Sequence, residues 1–450
     1  MARPSALQDS STVDVVIVGA GVAGLAAMRL LEDQGIRTLV FEARDRIGGR
    51  IFTLHDDRLP HAIELGAEFI HGSAEETVRI VRSARIAAFA IEGIRWRLRG
   101  GKLIHVDMWD SIHAVMRHLK ADGPDESFAD FLARSPGGPS AGDARAFALQ
   151  FVEGFHAADP RLISAKALAC GGSPSEDPDE QRQMRMPGGY VAVPDWLARG
   201  AKYRIVTETV VERIEWEQGS VAVSARGRQG ALTIRARAAI VTVPLGVLLA
   251  ANGDDGAIQF SPSLPMVEKM RTRLTMGCVT RVVLLFRERW WTEKLSAAPS
   301  EGALDSMSYL FGGAADFPVC WTLHPAHLQA LVAWAGGPTG ARLSGLTFDG
   351  RRDRALAAVA KNFGVTRRRV ESQLVDCWSH DWDTDPFSRG AYSYPMVGGA
   401  GAAKQLARPI EKTVWLAGEA AAAVGRNGTV TGAIGSGRAA ALGVSQVLKR

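Results

Sequence analysis

Residues 13–50 read VDVVIVGAGVAGLAAMRLLEDQGIRTLVFEARDRIGGR, and this stretch decides how the rest of the chain is read. Residues 13–18 are a β-branched run, the pattern of a strand buried on both faces of a parallel sheet. Glycines 19, 21 and 24 follow as G-x-G-x-x-G. Residues 22–34 carry Leu25, Met28 and Leu31 at helical spacing and stop at Gly35. Residues 38–42 form a second strand, ending in Glu42. Strand, glycine turn, helix and strand make a βαβ unit suited to a dinucleotide. Gly19 permits the tight turn, Gly21 lets backbone approach a pyrophosphate, and Gly24 lets the helix pack closely on the sheet. The helix N-terminus faces the phosphate with partial positive charge. Glu42 is placed to accept both ribose hydroxyls, and a carboxylate there disfavours a 2′-phosphate.

This unit alone does not choose between NAD and FAD. Two further blocks bear on the choice. After Glu42 come Arg44, Arg46 and the loop Gly48-Gly49-Arg50, which can wrap a longer, bent cofactor and neutralise its diphosphate. Near the other end, residues 413–417 form a strand ending in Gly418-Glu419, and Thr429-Val430-Thr431-Gly432 opens a last helix over 430–449. A carboxylate at that strand end can bind ribityl hydroxyls. A helix N-terminus aimed at a flavin edge stabilises the negative charge of the reduced ring.

Composition narrows the alternatives. The chain has 450 residues, enough for two to three domains at about 150 each. At 46% apolar and 22% charged residues it has an ordinary globular composition, and a net charge of +5 is too small and dispersed to argue for nucleic acid. The arginine clusters at 351–354 and 367–369 read as solvated helix faces. Cysteines 170, 278, 320 and 377 form no C-x-x-C pair, so neither a disulfide scaffold nor a metal site is expected. The first dozen residues contain no apolar run and no 18-residue apolar stretch exists, so a cytoplasmic location with no secretory signal and no membrane span is expected.

Between the two cofactor blocks, residues 121–143 read as a polar separator between helices, and residues 171–180 as a loop. Runs at 204–206, 221–223 and 232–234 read as a meander ending in a buried strand at 239–243. Residues 279–286 and 330–335 read as strands of a second sheet, and 352–363 as a helix. The chain therefore leaves and re-enters its nucleotide unit.

The blocks VIVGAGVAGLAA (16–27), FEARDRIGGR (41–50), ELGAEFIHG (64–72), PGGY (187–190), IVTVPLGVL (240–248), DWDTDPFSRGAYSY (381–394) and WLAGEAA…TVTGAIGSGRAA (415–440) together resemble the flavin-containing amine oxidase family. That family includes monoamine, polyamine and L-amino-acid oxidases and the histone lysine demethylase branch. The resemblance implies an α/β, two-lobed fold: a Rossmann-type FAD domain from residues 1–80, 187–265 and 391–450, and a substrate domain with a mixed six-stranded sheet and helices from 81–186 and 266–390. It implies cofactor contacts at Gly19, Gly21, Ala23, Gly24, Glu42, Ala43, Arg44, Gly48, Gly49 and Arg50. Further contacts are implied at Gly66, Ala67, Glu68, Val211, Trp382, Gly418, Glu419, Thr429 and Val430, with Phe387 packing beside the flavin and Tyr392 as the aromatic wall on its substrate side.

Departures from the family pattern carry information too. Ala391 stands where monoamine oxidases tether the flavin through cysteine, so FAD is expected to be non-covalent. Thr429 stands where they have a second cage tyrosine. Arg281 stands where the family usually has a lysine that reaches flavin N5 through water, which leaves open oxygen or another electron acceptor; a one-residue slip would put Thr280 there.

On the substrate side, His71 could hydrogen-bond an amine or be a structural histidine, Glu68 could meet a cation or cap a loop, and Phe155 and His156 could line the pocket or belong to the core. Trp96, Trp321 and Trp334 read as core, and His324 and His327 as loop residues. The implied reaction removes hydride from the carbon next to a neutral amine nitrogen, so a free amine pKa near about 10 has to be lowered in the site. Tyr392 would orient the amine lone pair, and Arg281 is the second catalytic candidate. A primary or secondary amine, polyamines included, is the expected substrate of a monomer or homodimer. The alternatives are an L-amino-acid oxidase using Arg95 or Arg97 for the carboxylate, an amine dehydrogenase, a non-catalytic flavoprotein, and a carotenoid-type desaturase.

Overall fold

The computed structural model describes residues 13–172 and 178–449. The first dozen residues, and residues 173–177 of the loop at 171–180, lie outside them. Strand β1 (Val15–Val18) has all four residues buried and is the centre of a five-stranded sheet. It pairs in parallel with β2 (Thr38–Phe41) on one side and with Ala238–Val241 on the other. Arg204–Val206 extends the sheet beyond β2, and Val414–Leu416 closes the opposite edge, both in parallel. Residues 204–206, expected as part of the meander, therefore belong to the nucleotide sheet. A three-residue run, Arg-Ile-Val, is too short to separate the two patterns, and only the long-range partner decides.

Helix α1 (Val22–Asp33) returns the chain from β1 to β2. The last helix, Val430–Leu448, packs along it. Small residues make that crossing close: a Cβ on Gly437 would stand 2.0 Å from the Ala23 carbonyl oxygen. A Cβ on Gly24 would stand equally close, 2.0 Å, to the Gly19 carbonyl oxygen. The meander proper is Val210–Glu217, Ser220–Gly227 and Gly230–Ala236, packed through Ile214 and Val223 beneath Val16, Val18 and Phe41.

The second sheet has seven strands, in the order Leu374–Trp378, Val279–Phe286, Ala330–Gly336, Val319–Thr322, Met307–Phe311, Ile94–Arg99, Lys102–His105. It is mixed, with one parallel pair between Met307–Phe311 and Ile94–Arg99. The strand beyond the six implied by resemblance is Lys102–His105. It folds back on its neighbour through Gly100 and Gly101, whose φ of 56° and 77° suit glycine. The separator at 121–143 contains the helix Phe128–Ala133, capped by Ser127, which buries Phe128 and Phe131. Arg351 departs from the solvated reading of its cluster: it is buried and donates to Asp381 at 3.0 Å. Among the described residues, no helix is long and apolar enough to cross a membrane and no cluster could hold a metal ion.

Candidate active site

A cavity of about 560 Å³ runs from the N-terminus of α1 to the face of the seven-stranded sheet. Its first half is built from the glycine-rich blocks. Glu42 is buried, and its two oxygens accept from the backbone N–H of Ala20 at 2.8 Å and of Arg44 at 3.0 Å. Those bonds fix the carboxylate and leave lone pairs for a ligand hydroxyl. The N-cap of α1 is Gly21, with no side-chain cap and open space where a Cβ would stand. The first-turn N–H groups therefore have no protein acceptor from a cap, and Gly21, Val22 and Ala23 line the cavity there. Ala43, Gly48, Gly49 and Val211 line the same half. These features fit a dinucleotide: an anion at the helix end and a diol at Glu42.

Arg44 and Arg50 line the cavity but are not free cations. Arg44 donates to Asp385 at 2.8 Å and Ser388 at 2.9 Å, and Arg50 donates to Glu419 at 2.9 Å and to the Ala391 carbonyl at 2.7 Å. They tie the N-terminal loop to the C-terminal blocks. Glu419 is fully engaged too: besides Arg50 it accepts from the Ser393 hydroxyl at 2.7 Å and the Gly428 N–H at 3.1 Å. Gly418 lines the cavity beside it. Thr429 caps the last helix, accepting from the Gly432 N–H at 3.0 Å, and Thr429 and Val430 present that helix end to the cavity. Trp382 is buried and donates to the Leu65 carbonyl at 2.8 Å. It stands against Gly66, where a Cβ would lie 1.9 Å from the Arg50 carbonyl oxygen. Ala67 and Phe387 complete this wall.

The second half is aromatic. Thr280 turns its hydroxyl away, to the Gly340 carbonyl at 3.0 Å, so Arg281 is the member of that pair that faces the cavity. Arg281 is buried and donates to the Gly66 carbonyl at 3.0 Å and to Glu68; its Nε has no partner among the described residues. Arg185 holds the other Glu68 oxygen at 2.6 and 2.9 Å. Burial pushes the Glu68 pKa up, but the two guanidiniums outweigh it and hold the acid below its ordinary range. Of the two readings of Glu68, a partner for a cation or a loop cap, the first holds for internal cations: both its oxygens are taken by Arg185 and Arg281.

His71 lines the chamber. Its Nδ1 accepts from the Gln183 amide at 3.3 Å, and the Gln183 oxygen accepts from the Tyr309 hydroxyl at 2.9 Å. Burial lowers the imidazole pKa to about 4, with the Glu68 charge pulling weakly the other way, so His71 is neutral at neutral pH. Phe155 stacks on Phe151 at 4.9 Å and meets the His71 ring edge at 5.1 Å; His156 packs edge-on to Phe151 at 5.1 Å. Tyr392 lines the cavity and donates to the Phe155 carbonyl.

Trp96 and Trp321 lie in the core as expected, with Trp334 packed against the cluster of Trp321, and both Trp321 and Trp334 also line the cavity. Arg95 lines it as well, and Arg97 instead lies over Phe147 at 4.2 Å. Sequence reasoning missed Arg185, Gln183 and Tyr309. Each reaches the site through pairing between segments more than 100 residues apart, such as Arg185 with Glu68, and no local periodicity reports such pairing. Trp321 and Trp334 could have been found by placing their strands beside Arg281.

Comparison with known proteins follows the same division. The model of the family described as flavin containing amine oxidoreductase matches residues 97–444, and that of an NAD(P)-binding Rossmann-like domain matches residues 17–84. The Lysine-specific histone demethylase 1 homolog 2 of Oryza sativa subsp. japonica is 26% identical over 430 residues, covering 90% of this chain and 54% of that protein. Polyamine oxidase 2 of Arabidopsis thaliana is 26% identical over 468 residues, covering 95% and 87%. The chain thus spans about half the length of the demethylase relatives it matches. A solved putrescine oxidase superposes with a TM-score of 0.77 at 21% identity, covering 97% of this chain and 99% of that one. Cyclohexylamine oxidase from Brevibacterium oxydans IH-35A does so at 0.76 and 21%, covering 97% and 100%. At these identities the solved structures speak to the fold alone.

Proposed function

The chain belongs to the flavin-containing amine oxidoreductase family, and we propose that it oxidises a primary or secondary amine using FAD held without a covalent bond. The observation that carries this reading is the continuity of one cavity, from the uncapped end of α1 past Glu42 and Trp382 to the chamber between Tyr392 and Arg281. In this reading residues 1–80, 187–265 and 391–450 form the FAD-binding unit, and 81–186 and 266–390 the substrate unit.

The diphosphate would lie at the α1 N-terminus and the ribose at Glu42, with the last helix behind the ring system at Thr429 and Val430. Bound there, FAD would supply the two-electron sink for hydride from the carbon next to the substrate nitrogen, and the resulting imine would be hydrolysed to a carbonyl compound and ammonia or an amine, with oxygen as the final acceptor, reduced to hydrogen peroxide.

The chain's own residues prepare the amine. Arg95 and Arg281 line the substrate side, Arg185 stands behind Glu68, and the charge of Glu180 is met by Arg426, so these guanidiniums outnumber the carboxylates. Excess positive charge in a largely apolar, aromatic chamber lowers the pKa of a bound alkylammonium and favours the free base, whose lone pair has to assist bond breaking. His71 is neutral and can exchange a hydrogen bond with the nitrogen without adding charge. Tyr392, pinned through its hydroxyl, presents a fixed ring that aligns the amine and excludes water. Ala391, on the cavity wall, offers no nucleophile, which supports non-covalent binding.

Anaerobic mixing with a panel of amines tests the reading: the oxidised flavin band should bleach with at least one of them. A purified protein that is colourless and takes up no FAD ends it. Acid precipitation should leave the yellow colour in the supernatant.

A further inference from the structure

The floor of the substrate chamber is one face of the seven-stranded sheet, and its pairing sets charged groups at two ends. Arg281 pairs with Trp334, Trp321 with Tyr309, and Tyr309 with Arg95. Paired residues share a face, so these side chains lie on one surface, and all five line the cavity. Four strand spacings separate the strand of Arg281 from that of Arg95, about 19 Å across an aromatic floor.

The two arginines differ in what they meet. Arg281 is held by Gly66 and Glu68. Arg95, half-buried, has no carboxylate and no side-chain hydrogen bond among the described residues. Nor, among the described residues, does the wall hold an acid ready for a second ammonium. Glu42 and Glu419 are engaged in the cofactor half, Glu68 is taken by two arginines, and Glu180 lies 3.7 Å from Arg426. A diamine would therefore bring its far cation to a guanidinium.

Resting on the amine-oxidase reading, we infer that the substrate is an amino carboxylate: a reacting amine at the Arg281–Tyr392 end, an apolar body over Trp334, Trp321 and Tyr309, and a remote carboxylate received by Arg95. An exposed guanidinium would gain little from such an ion, but one facing an enclosed aromatic chamber loses water that a carboxylate replaces with a bidentate pair. A carboxylate beside the reacting carbon is not what this arrangement selects, because the unpaired cation stands at the far end of the floor.

The test uses the FAD-loaded full chain and four compounds of one length: 6-aminohexanoate, hexylamine, 1,6-diaminohexane and 2-aminohexanoate. In anaerobic flavin reduction, 6-aminohexanoate should saturate at a concentration at least tenfold lower than hexylamine, with the diamine poorest. In Arg95→Gln the advantage of the carboxylate should shrink to near unity, in Arg95→Lys it should persist in part, and in Arg95→Glu the diamine should overtake the amino acid. Hexanoate, which cannot react, should perturb the bound flavin spectrum with a Kd raised about tenfold or more in Arg95→Gln, the loss expected for one charge-assisted bond. That binding measurement, with melting curves of each variant, separates a lost contact from a lost fold. Preference for 1,6-diaminohexane or 2-aminohexanoate by the wild type, or an unchanged ranking in Arg95→Glu, overturns the inference while leaving amine oxidation standing. Reduction by none of the four or by any other amine removes the reading beneath it.

Discussion

The Tyr392 hydroxyl donates to the backbone carbonyl of Phe155 at 2.8 Å, joining the strand Tyr392–Pro395 to the end of the helix Gly142–Gly154. This bond fixes the ring as one wall of the chamber and holds the Phe155 turn against it. Tyr392→Phe keeps the ring and loses the bond. A net hydrogen bond is worth about 0.5–1.5 kcal/mol, so kcat/KM should fall roughly two- to twelvefold. Tyr392→Ala, which also removes the wall, should fall further. Equal losses in the two variants would assign the effect to the hydroxyl alone.

Glu68 joins Arg185 and Arg281 in a buried cluster. Removing one partner of such a cluster leaves uncompensated charge, and Glu68→Ala should cost about 3–5 kcal/mol in urea unfolding. Glu68→Ala that unfolds with wild-type stability would mean that water already reaches the pair.

Arg281→Lys retains the charge and exchanges the planar fork for a point cation of the type the family usually carries. Reoxidation of the reduced flavin by oxygen should speed up in this variant, measured by stopped flow. An unchanged rate would remove Arg281 from the account of acceptor choice.

His71 provides a pH prediction. Its pKa falls from 6.5 in the unfolded chain to about 4 in the fold. Between those values the unfolded state binds more protons, so this residue's contribution to stability is full above pH 6.5 and is lost as pH falls toward 4. The shift corresponds to ~3 kcal/mol. Urea unfolding of His71→Asn at pH 7 and pH 4.5 should therefore show a smaller difference than wild type. A parallel loss in both proteins would mean that the imidazole is protonated within the fold.

Gly24→Ala places a methyl group 2.0 Å from the Gly19 carbonyl oxygen. Backbone has to move, at a cost of about 1–3 kcal/mol or more, and the α1 N-terminus shifts with it. Flavin content, read from the visible to ultraviolet absorbance ratio, should drop sharply. Full flavin occupancy in this variant would separate the glycine from the cofactor cradle.

The nucleotide half was legible because its signals are local. Gly19, Gly21 and Gly24 sit within six residues, and the β-branched run before them tolerates only a buried strand. The substrate half was legible in outline, through Arg281, Tyr392 and His71, but not in its charge balance. Glu68 looked available because nothing in ELGAEFIHG announces that Arg185, 117 residues onward, will occupy it. Trp321 and Trp334 read as core, and they are, but an apolar strand does not announce that the same face also borders a chamber. Arg95 could be named but not placed, since its role depends on the parallel pairing of Ile94–Arg99 with Met307–Phe311. Register across 200 residues is fixed by packing rather than by propensity.

The order of strands around β1 has a consequence for biosynthesis. The strand Val414–Leu416 that completes the sheet of β1 leaves the ribosome roughly 400 residues after it, a wait of about 20–80 s at ordinary translation speeds. Throughout that interval the apolar side of α1 lacks the helix Val430–Leu448 that covers it. For that interval, too, the part of the cavity wall built from Gly418, Glu419 and Thr429 does not yet exist.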